Sequence, residues 1–429
     1  FPSRRMIVIG VTGTHGKSSV VMMGGHMLEA AGHRVGWTTT ATVKVGEREE
    51  LNRMKMTMPG RWTLQRLLRQ MVDAGCDVAV VETSSEGLAQ HRDVGIAYDV
   101  AVFLNLAPEH LESHGGWERY RAAKEQLFAA VARRRPKRVR GNSIPRISIV
   151  HVSDAEAKHF LAYTADERWG FSVDPDGHAA TLSTGHLIHP AAASVQRLPW
   201  GSSFRADGQA YEVHLPGRMY VENALAAITV ARALGTPHTT CAQGLAAITG
   251  LPGRMERIEV GQPFTVVVDY AHTPTALEGL AEALGVHDGG WTSGKVIHVL
   301  GGVGGGRDRW KRRAMGQVAG TYADVVVVTN EDPYDDAPEA IIRDVVAGAQ
   351  YPTHRSAPTG PIVIERRDRR DGLAAALNAA RPGDLVLVTG KGCEQAIVGP
   401  RGTMTPWDDR AVLRALLKQY ADQASQPPR

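Results

Sequence analysis

The stretch MIVIGVTGTHGKSS, Met6 to Ser19, decides the fold. Its opening, Met6 to Val11, is an almost unbroken apolar run, which reads as a strand covered on both faces. A Gly-rich turn follows, and a helical pattern from Lys17 to Ala31 is closed by Gly32. Strand, turn and helix in that order are the setting a phosphate-binding loop requires. Glycines let backbone N–H groups turn inward on phosphate oxygens, and the helix start adds positive potential. Lys17 reaches the terminal phosphates, and Ser18 can ligate magnesium. The spacing is a variant, with five residues rather than four between Gly10 and Gly16. A glycine turn that merely starts a helix is the alternative, but that role does not call for Lys17 followed by Ser18.

Working outward, short apolar runs recur at Val78 to Val81, Val100 to Leu104 and Ile147 to Val152, with helical patterns at Leu64 to Ala74 and Trp117 to Ala132. Strands alternating with helices imply a mostly parallel sheet covered on both faces. Thr181 to His214 reads as short strands and turns, and Val221 to Leu234 as a helix. A second alternating series has strands at Phe264 to Tyr270, Val296 to Leu300, Val325 to Thr329, Ile362 to Glu365 and Leu385 to Thr389. Its helices are read at Ala276 to Leu284, Lys311 to Tyr322, Pro338 to Ala347 and Gly372 to Ala380. The expected class is therefore α/β: a central phosphate-loop domain over residues 1–252, then a C-terminal Rossmann-like domain over 253–429. The boundary falls after the turn Gly250-Leu251-Pro252-Gly253. The tail from Gln423 is expected to be disordered.

Composition narrows the classes. A chain of 429 residues is too long for one ordinary core. No apolar run approaches a bilayer span, and the first residues lack a signal-peptide pattern, so the cytoplasm is expected. Cys76, Cys241 and Cys393 lie far apart and suggest neither a disulfide framework nor a zinc site. Within a net charge of only +4, Arg133, Arg134, Arg135, Lys137, Arg138 and Arg140 form a basic run. It has no interleaved aromatics and reads as a solvated linker or loop, with nucleic-acid contact as the alternative.

The loop TGTHGKS resembles the Mur ligase superfamily, which includes muramyl-peptide ligases and folylpolyglutamate synthetase. Further segments with the family's look follow in order. They are Thr57-Met58-Pro59-Gly60, Glu82-Thr83-Ser84-Ser85-Glu86, Asn105 with His110, Ala123-Lys124, and Gly253-Arg254-Met255-Glu256. Asp269-Tyr270-Ala271-His272-Thr273-Pro274, Gly306-Arg307-Asp308 with Lys311-Arg312, and Gly390-Lys391-Gly392 with Glu394 complete the series. The density is greatest for the MurE type, which adds the third residue of the peptidoglycan stem. The resemblance implies an ATP-dependent, ADP-forming ligase working through an acyl phosphate, probed by losing Lys17.

Glu82 closes an apolar strand, where a carboxylate can face the phosphate loop and bind magnesium; a loop or cap residue is the alternative. By resemblance His110 helps bind a second magnesium, and Lys124 is carbamylated, which replaces a cation by an anionic oxygen ligand. Thr14, Gly16, Lys17, Ser18 and Ser19 of the loop would hold ATP, with Asn223 near adenine, Arg254 near phosphate or ribose and Asp269 on a ribose hydroxyl. Asp269 otherwise shapes a turn. Thr57, Ser84, Gln90 and Arg92 match contacts to the nucleotide-peptide acceptor, Glu394 a contact to a distal amine, and Asp332 lies in the specificity segment.

Some positions depart from the family. Diaminopimelate enzymes carry Asp-Asn-Pro-Arg where this chain has Glu331-Asp332-Pro333-Tyr334. Tyr334 removes a guanidinium that would pair with a second carboxylate, and the added acidity of Glu331, Asp332, Asp335 and Asp336 suits lysine or ornithine. Glu86 and Cys393 stand where His is usual, Met58 for a Thr, and Tyr220 for an Asn. Only some ten residues precede the loop, where family members carry a uridine-nucleotide domain, so a short form, a fragment or a substrate without a nucleotide handle is expected. The reading is a monomer acting on small nucleotide-peptide and amino-acid substrates, with ATP and Mg2+ and without membrane or nucleic acid. The alternatives are a folylpolyglutamate-type or other ligase of the superfamily, or a weakly catalytic nucleotide-binding partner subunit.

Overall fold

The computed structural model describes residues 1–109, 111–174, 185–189, 194–286, 294–306, 308–352 and 360–424. They form two compact units, Phe1–Thr249 and Gly250–Arg429. Among the described residues, no helix is long and apolar enough to cross a membrane.

In the first unit the strands are β1 (Ile7–Thr12), β2 (Val35–Thr38), β3 (Thr42–Val45), β4 (Arg48–Leu51), β5 (Val78–Glu82), β6 (Val100–Phe103), β7 (Lys137–Val139), β8 (Asn142–Ile144), β9 (Ile147–His151), β10 (Glu167–Phe171) and β11 (His186–Ile188). The helices are α1 (Lys17–Ala30), α2 (Arg61–Asp73), α3 (Ser85–Ala89), α4 (Leu111–His114), α5 (Trp117–Ala132), α6 (Ala157–Leu161), α7 (Arg218–Ala233) and α8 (His238–Ala246). The main sheet has the order β11-β10-β9-β6-β1-β5-β2-β3-β4. It is parallel from β11 to β2, and only the β2–β3–β4 edge is antiparallel. β12 (Gln196–Leu198), β13 (Gly201–Ala206) and β14 (Gln209–Val213) form a small antiparallel sheet.

The central strands are continuous apolar runs because helices cover both their faces. One face carries α2 and α5. Leu64, Leu68 and Met71 of α2, and Leu127, Phe128 and Val131 of α5, join Val8, Ala79, Val81 and Phe103 in one core. Their spacing of three and four residues places each set on one helical stripe. Phe103 stacks on Phe160 of α6 at 3.7 Å. α1 packs on α7 and α8.

The basic run is solvated only in part: Arg133, Arg135, Arg138 and Arg140 are exposed, but two of its members are not. β7 and β8 form a hairpin, and Lys137 and Arg134 turn inward onto Asp99, with side chains 1% and 3% exposed. Asp99 immediately precedes β6; it accepts from the Val8 amide at 2.8 Å and from Lys137 Nζ, with Arg134 Nε at 3.3 Å. Its side chain is fully buried, so these cations are what keep the carboxylate compatible with the core.

The second unit has β15 (Glu256–Arg257), β16 (Thr265–Val268), β17 (Val296–Leu300), β18 (Val325–Thr329), β19 (Ile362–Arg366), β20 (Leu385–Val388), β21 (Ala396–Val398) and β22 (Met404–Pro406). Its helices are α9 (Pro274–Leu284), α10 (Trp310–Tyr322), α11 (Pro338–Gln350), α12 (Arg369–Ala379) and α13 (Asp409–Ala424). The sheet order is β15-β16-β20-β17-β18-β19, parallel except for β15, and β21 pairs with β22 as a hairpin. Buried Arg369 makes a bidentate pair with Asp409 at 2.8 and 2.7 Å and donates to the carbonyls of Asn330 and Thr389. It thereby fixes the two loops after β18 and β20. The tail expected to be disordered from Gln423 starts inside α13; residues 425–429 lie outside the described residues.

Asp99→Ala leaves two buried cations without their partner. Breaking such a cluster should cost about 3–5 kcal/mol, seen as a lower urea midpoint, whereas Arg138→Ala, at an exposed position of the same run, should leave the midpoint unchanged.

Candidate active site

The loop between β1 and α1 sits at the carboxyl edge of the parallel sheet, flanked by the ends of β6 and β5. Its shape comes from a neighbouring side chain. Asn105 Oδ1 accepts from the amides of Thr14 at 3.1 Å and His15 at 2.9 Å, while Asn105 Nδ2 donates to the His15 carbonyl. Gly16 caps α1 with φ of 83°, a left-handed conformation that favours glycine. Asn223 of α7 packs directly against it, and Asn223 Nδ2 is buried with no partner among the described residues. Ser19 is buried in the first turn of α1.

Lys17 folds back over the loop, with Nζ donating to the carbonyls of Gly13 at 3.0 Å and Thr14 at 2.8 Å. Lys124 arrives from α5 and donates to the same Gly13 carbonyl at 2.7 Å. It is 2% exposed and lies over the Tyr120 ring at 4.6 Å. Burial, reinforced by the nearby Lys17 charge and only partly offset by Glu109, lowers its pKa well below that of an ordinary lysine. Tyr120 also ties α5 to the loop, its hydroxyl 3.0 Å from Thr14 Oγ1.

On the β5 side, Ser18 Oγ donates to Glu82 Oε2 at 2.7 Å. The same carboxylate receives the Thr40 amide at 2.7 Å and the Thr40 hydroxyl at 3.2 Å, and the Thr40 hydroxyl is also 2.9 Å from Thr57 Oγ1. Glu82 and Lys124 thus meet the loop segment that carries Lys17 and Ser18, and Thr57 joins them through Thr40. His110 lies outside the described residues. The other acceptor-side candidates make local contacts: Ser84 caps α3 by accepting from the Gly87 amide, and Gln90 Oε1 receives Arg92 at 3.0 and 2.6 Å. Arg92 also donates to the Met58 carbonyl at 2.6 Å.

Each candidate of the second unit has internal partners. Arg254 stacks over the Tyr270 ring at 4.5 Å. Asp269 accepts from the amides of Met255 and Ala271, so it does shape its turn. Asp332 accepts from Lys391 Nζ and the Val398 amide, both at 2.7 Å, and Lys391 also pairs with Glu394 at 2.8 Å. Asp335 accepts from the Arg401 amide at 2.7 Å, and Asp336 pairs with Arg312 at 2.6 Å. The acidity expected to await a cationic side chain is therefore largely engaged inside the unit. Lys311 and Arg312 of the family-like series are buried and paired with Asp308 and Asp336. Arg307 lies outside the described residues.

Motif reading gave no role to Thr40, Tyr120 or the Asn105 cradle. Tyr120 had a signal: with Lys124, Leu127 and Val131 it falls on the stripe that α5 buries. Thr40 had none, because its partners Thr57 and Glu82 are distant in sequence.

Comparison with known proteins gives a consistent set of relatives. A Mur ligase middle-domain model matches residues 11–231, and a Mur ligase glutamate-ligase-domain model matches 253–392. A UDP-N-acetylmuramyl-tripeptide synthetase of Roseiflexus sp. (strain RS-1) is 39% identical, covering 97% of this chain and 80% of that protein. A UDP-N-acetylmuramoyl-L-alanyl-D-glutamate–2,6-diaminopimelate ligase of Geobacillus thermodenitrificans is 35% identical with the same coverages, 97% and 80%. Among solved structures, a ligase of that diaminopimelate type aligns with a TM-score of 0.59 at 27% identity over 97% of this chain and 79% of its own. A Mycobacterium tuberculosis folylpolyglutamate synthase shares the fold, with a TM-score of 0.64 at 19% identity over 100% and 93%.

A methyl group at Gly16 would stand 2.2 Å from Asn223 Oδ1. Gly16→Ala should weaken ADP binding at least about tenfold, or roughly 1.4 kcal/mol, in a calorimetric titration.

Proposed function

The chain belongs to the Mur ligase family, and from that premise we propose that it joins an amino acid to a muramyl-dipeptide nucleotide in peptidoglycan synthesis. ATP, the family's energy source, gives its γ-phosphoryl group to the peptide's terminal carboxylate, the γ-carboxylate of D-glutamate. The amine of the incoming amino acid attacks the acyl phosphate, a tetrahedral intermediate collapses, and phosphate leaves. The observation that carries this reading is the meeting of Ser18 and Glu82 at 2.7 Å beside the folded-back Lys17 on the β1–α1 loop.

Lys17 and the loop amides suit the phosphate chain, and Lys17 must leave the Gly13 and Thr14 carbonyls to reach it. Positive groups fixed around transferring oxygens stabilise charge as it develops. A hydroxyl and one carboxylate are a fitting pair for magnesium, which takes few protein oxygens and completes its shell with phosphates and water. Among the described residues no three His, Cys, Asp or Glu side chains form a closed metal cage. Ser18 and Glu82 would hold the ion, with carbamylated Lys124 and His110 as further ligands. Bound there, magnesium would neutralise phosphate charge and align the γ-phosphoryl group. Lys124 fits the carbamate role because its buried amine favours the neutral form, the only form that adds carbon dioxide.

On the acceptor side Thr57, Ser84, Gln90 and Arg92 are assigned to the peptide, Arg92 as the cation for a carboxylate. Thr14, Gly16, Ser19 and Asn223 are assigned to the nucleotide, as are Arg254 and Asp269 of the second unit. Glu394 and Asp332 are assigned to selection of the amino acid. Tyr334 offers no guanidinium for a second carboxylate, so lysine and ornithine are preferred over diaminopimelate. The direct test supplies ATP, magnesium and UDP-muramoyl-dipeptide with each amino acid in turn. One monocarboxylate diamino acid should give phosphate release and a product heavier by its residue mass. Phosphate release without a new amide, or turnover unchanged in Lys17→Ala, would contradict the reading.

Lys124 also links activity to stability. Its folded pKa is depressed, so between that value and the unfolded pKa the unfolded chain binds the extra proton. Stability therefore rises with pH across that window. In carbonate-free buffer at neutral pH, Lys124→Met should be more stable than the parent by about 1 kcal/mol or more. That gap should shrink as pH approaches 10, and ligation should be lost throughout.

A further inference from the structure

The loop after β2 holds a residue that none of the family-like segments contains. Thr39 builds this loop: its hydroxyl accepts from the amides of Ala41 at 3.1 Å and Thr42 at 2.7 Å and donates to the Thr42 carbonyl at 2.8 Å. Asn52 secures it from the other side, its Nδ2 donating to the Thr39 carbonyl at 2.6 Å. Thr40 is therefore presented in a defined position. Its amide lies 2.7 Å from Glu82 Oε2, and its hydroxyl oxygen lies 3.2 Å from Glu82 Oε1 and 2.9 Å from Thr57 Oγ1.

A threonine hydroxyl has one proton to give. Here two acceptors compete for it, one on the phosphoryl face of the site and one on the acceptor face. When Thr40 donates to Glu82, its oxygen is left to accept, and the Thr57 proton can turn inward. When Thr40 donates to Thr57, the Thr57 proton is released outward, toward whatever the acceptor presents. A cation held by Ser18 and Glu82 draws on the same carboxylate oxygens and favours the second arrangement.

Resting on the ligase reading above, we propose that Thr40 is a positioning residue that couples the two faces of the site. Its shared proton makes the hydrogen-bonding polarity of Thr57 toward the acceptor depend on what Glu82 holds. The backbone amide of Thr40 keeps the carboxylate in place in both arrangements, so the side chain alone carries the coupling. Thr40→Val keeps the shape and removes the proton; Thr40→Ser keeps the proton.

The experiment is calorimetric binding of UDP-muramoyl-dipeptide to the full chain, with and without magnesium and a non-hydrolysable ATP analogue. In the parent the acceptor Kd should differ at least about fivefold between the two conditions, the lower end of ordinary coupling between sites. Thr40→Val should bring that ratio to within about twofold of one, and Thr40→Ser should restore it. Thr40→Ala serves as the proton-free variant if the valine protein does not fold. A valine or alanine variant that keeps the parent's ratio would overturn the coupling, as would a parent whose acceptor affinity ignores the nucleotide, and the ligase reading would stand in both cases. A parent that binds no acceptor would overturn both.

Discussion

One carbonyl oxygen, that of Gly13, receives Lys17 at 3.0 Å and Lys124 at 2.7 Å. Burial penalises the charge on Lys124, and the Lys17 ammonium on the same acceptor repels it further, so its amine is pushed toward the neutral state. The rest of the first unit is arranged to hold this point. Asn105 shapes the loop from the end of β6, Tyr120 and Lys124 fasten α5 to it, and Glu82 meets Ser18 from the end of β5. These groups converge because β6, β1 and β5 are adjacent parallel strands whose carboxyl ends open at the same edge.

Much of the fold was legible because its central strands are short apolar runs with turns at both ends. Val296–Leu300, Val325–Thr329 and α5 at Trp117–Ala132 coincide with the sequence reading. β2 was not legible: Val35–Thr38 is only four residues long, and the three threonines from Thr38 to Thr40 look like a polar loop. Its burial comes from pairing with β5, a contact some forty residues distant in sequence. Two members of the basic run misled for a related reason, while Arg133, Arg135, Arg138 and Arg140 are exposed. Charge on Arg134 and Lys137 predicts exposure unless the compensating Asp99 is known to lie beneath, and only the folded chain places it there.

The site divides along the same line. Lys17 and Ser18 are local consequences of a strand, turn and helix, and the position of Glu82 at a strand end was enough to place it opposite them. The segment expected to set specificity could not be read this way. Its acids looked available for a cationic substrate, yet Asp332 is taken up by Lys391 and a β21 amide, and Asp336 by Arg312. Under the proposed ligase reading, selection among amino acids would then require displacement of these internal partners rather than a surplus of bare negative charge.

The central claim is that the acceptor carboxylate becomes an acyl phosphate. It is tested most directly by supplying UDP-muramoyl-dipeptide with both oxygens of the reacting carboxylate replaced by oxygen-18, and weighing the products. Transfer of the γ-phosphoryl group to that carboxylate predicts one heavy oxygen in the released phosphate and one retained in the new amide. Unlabelled phosphate, or heavy oxygen in AMP, would contradict it.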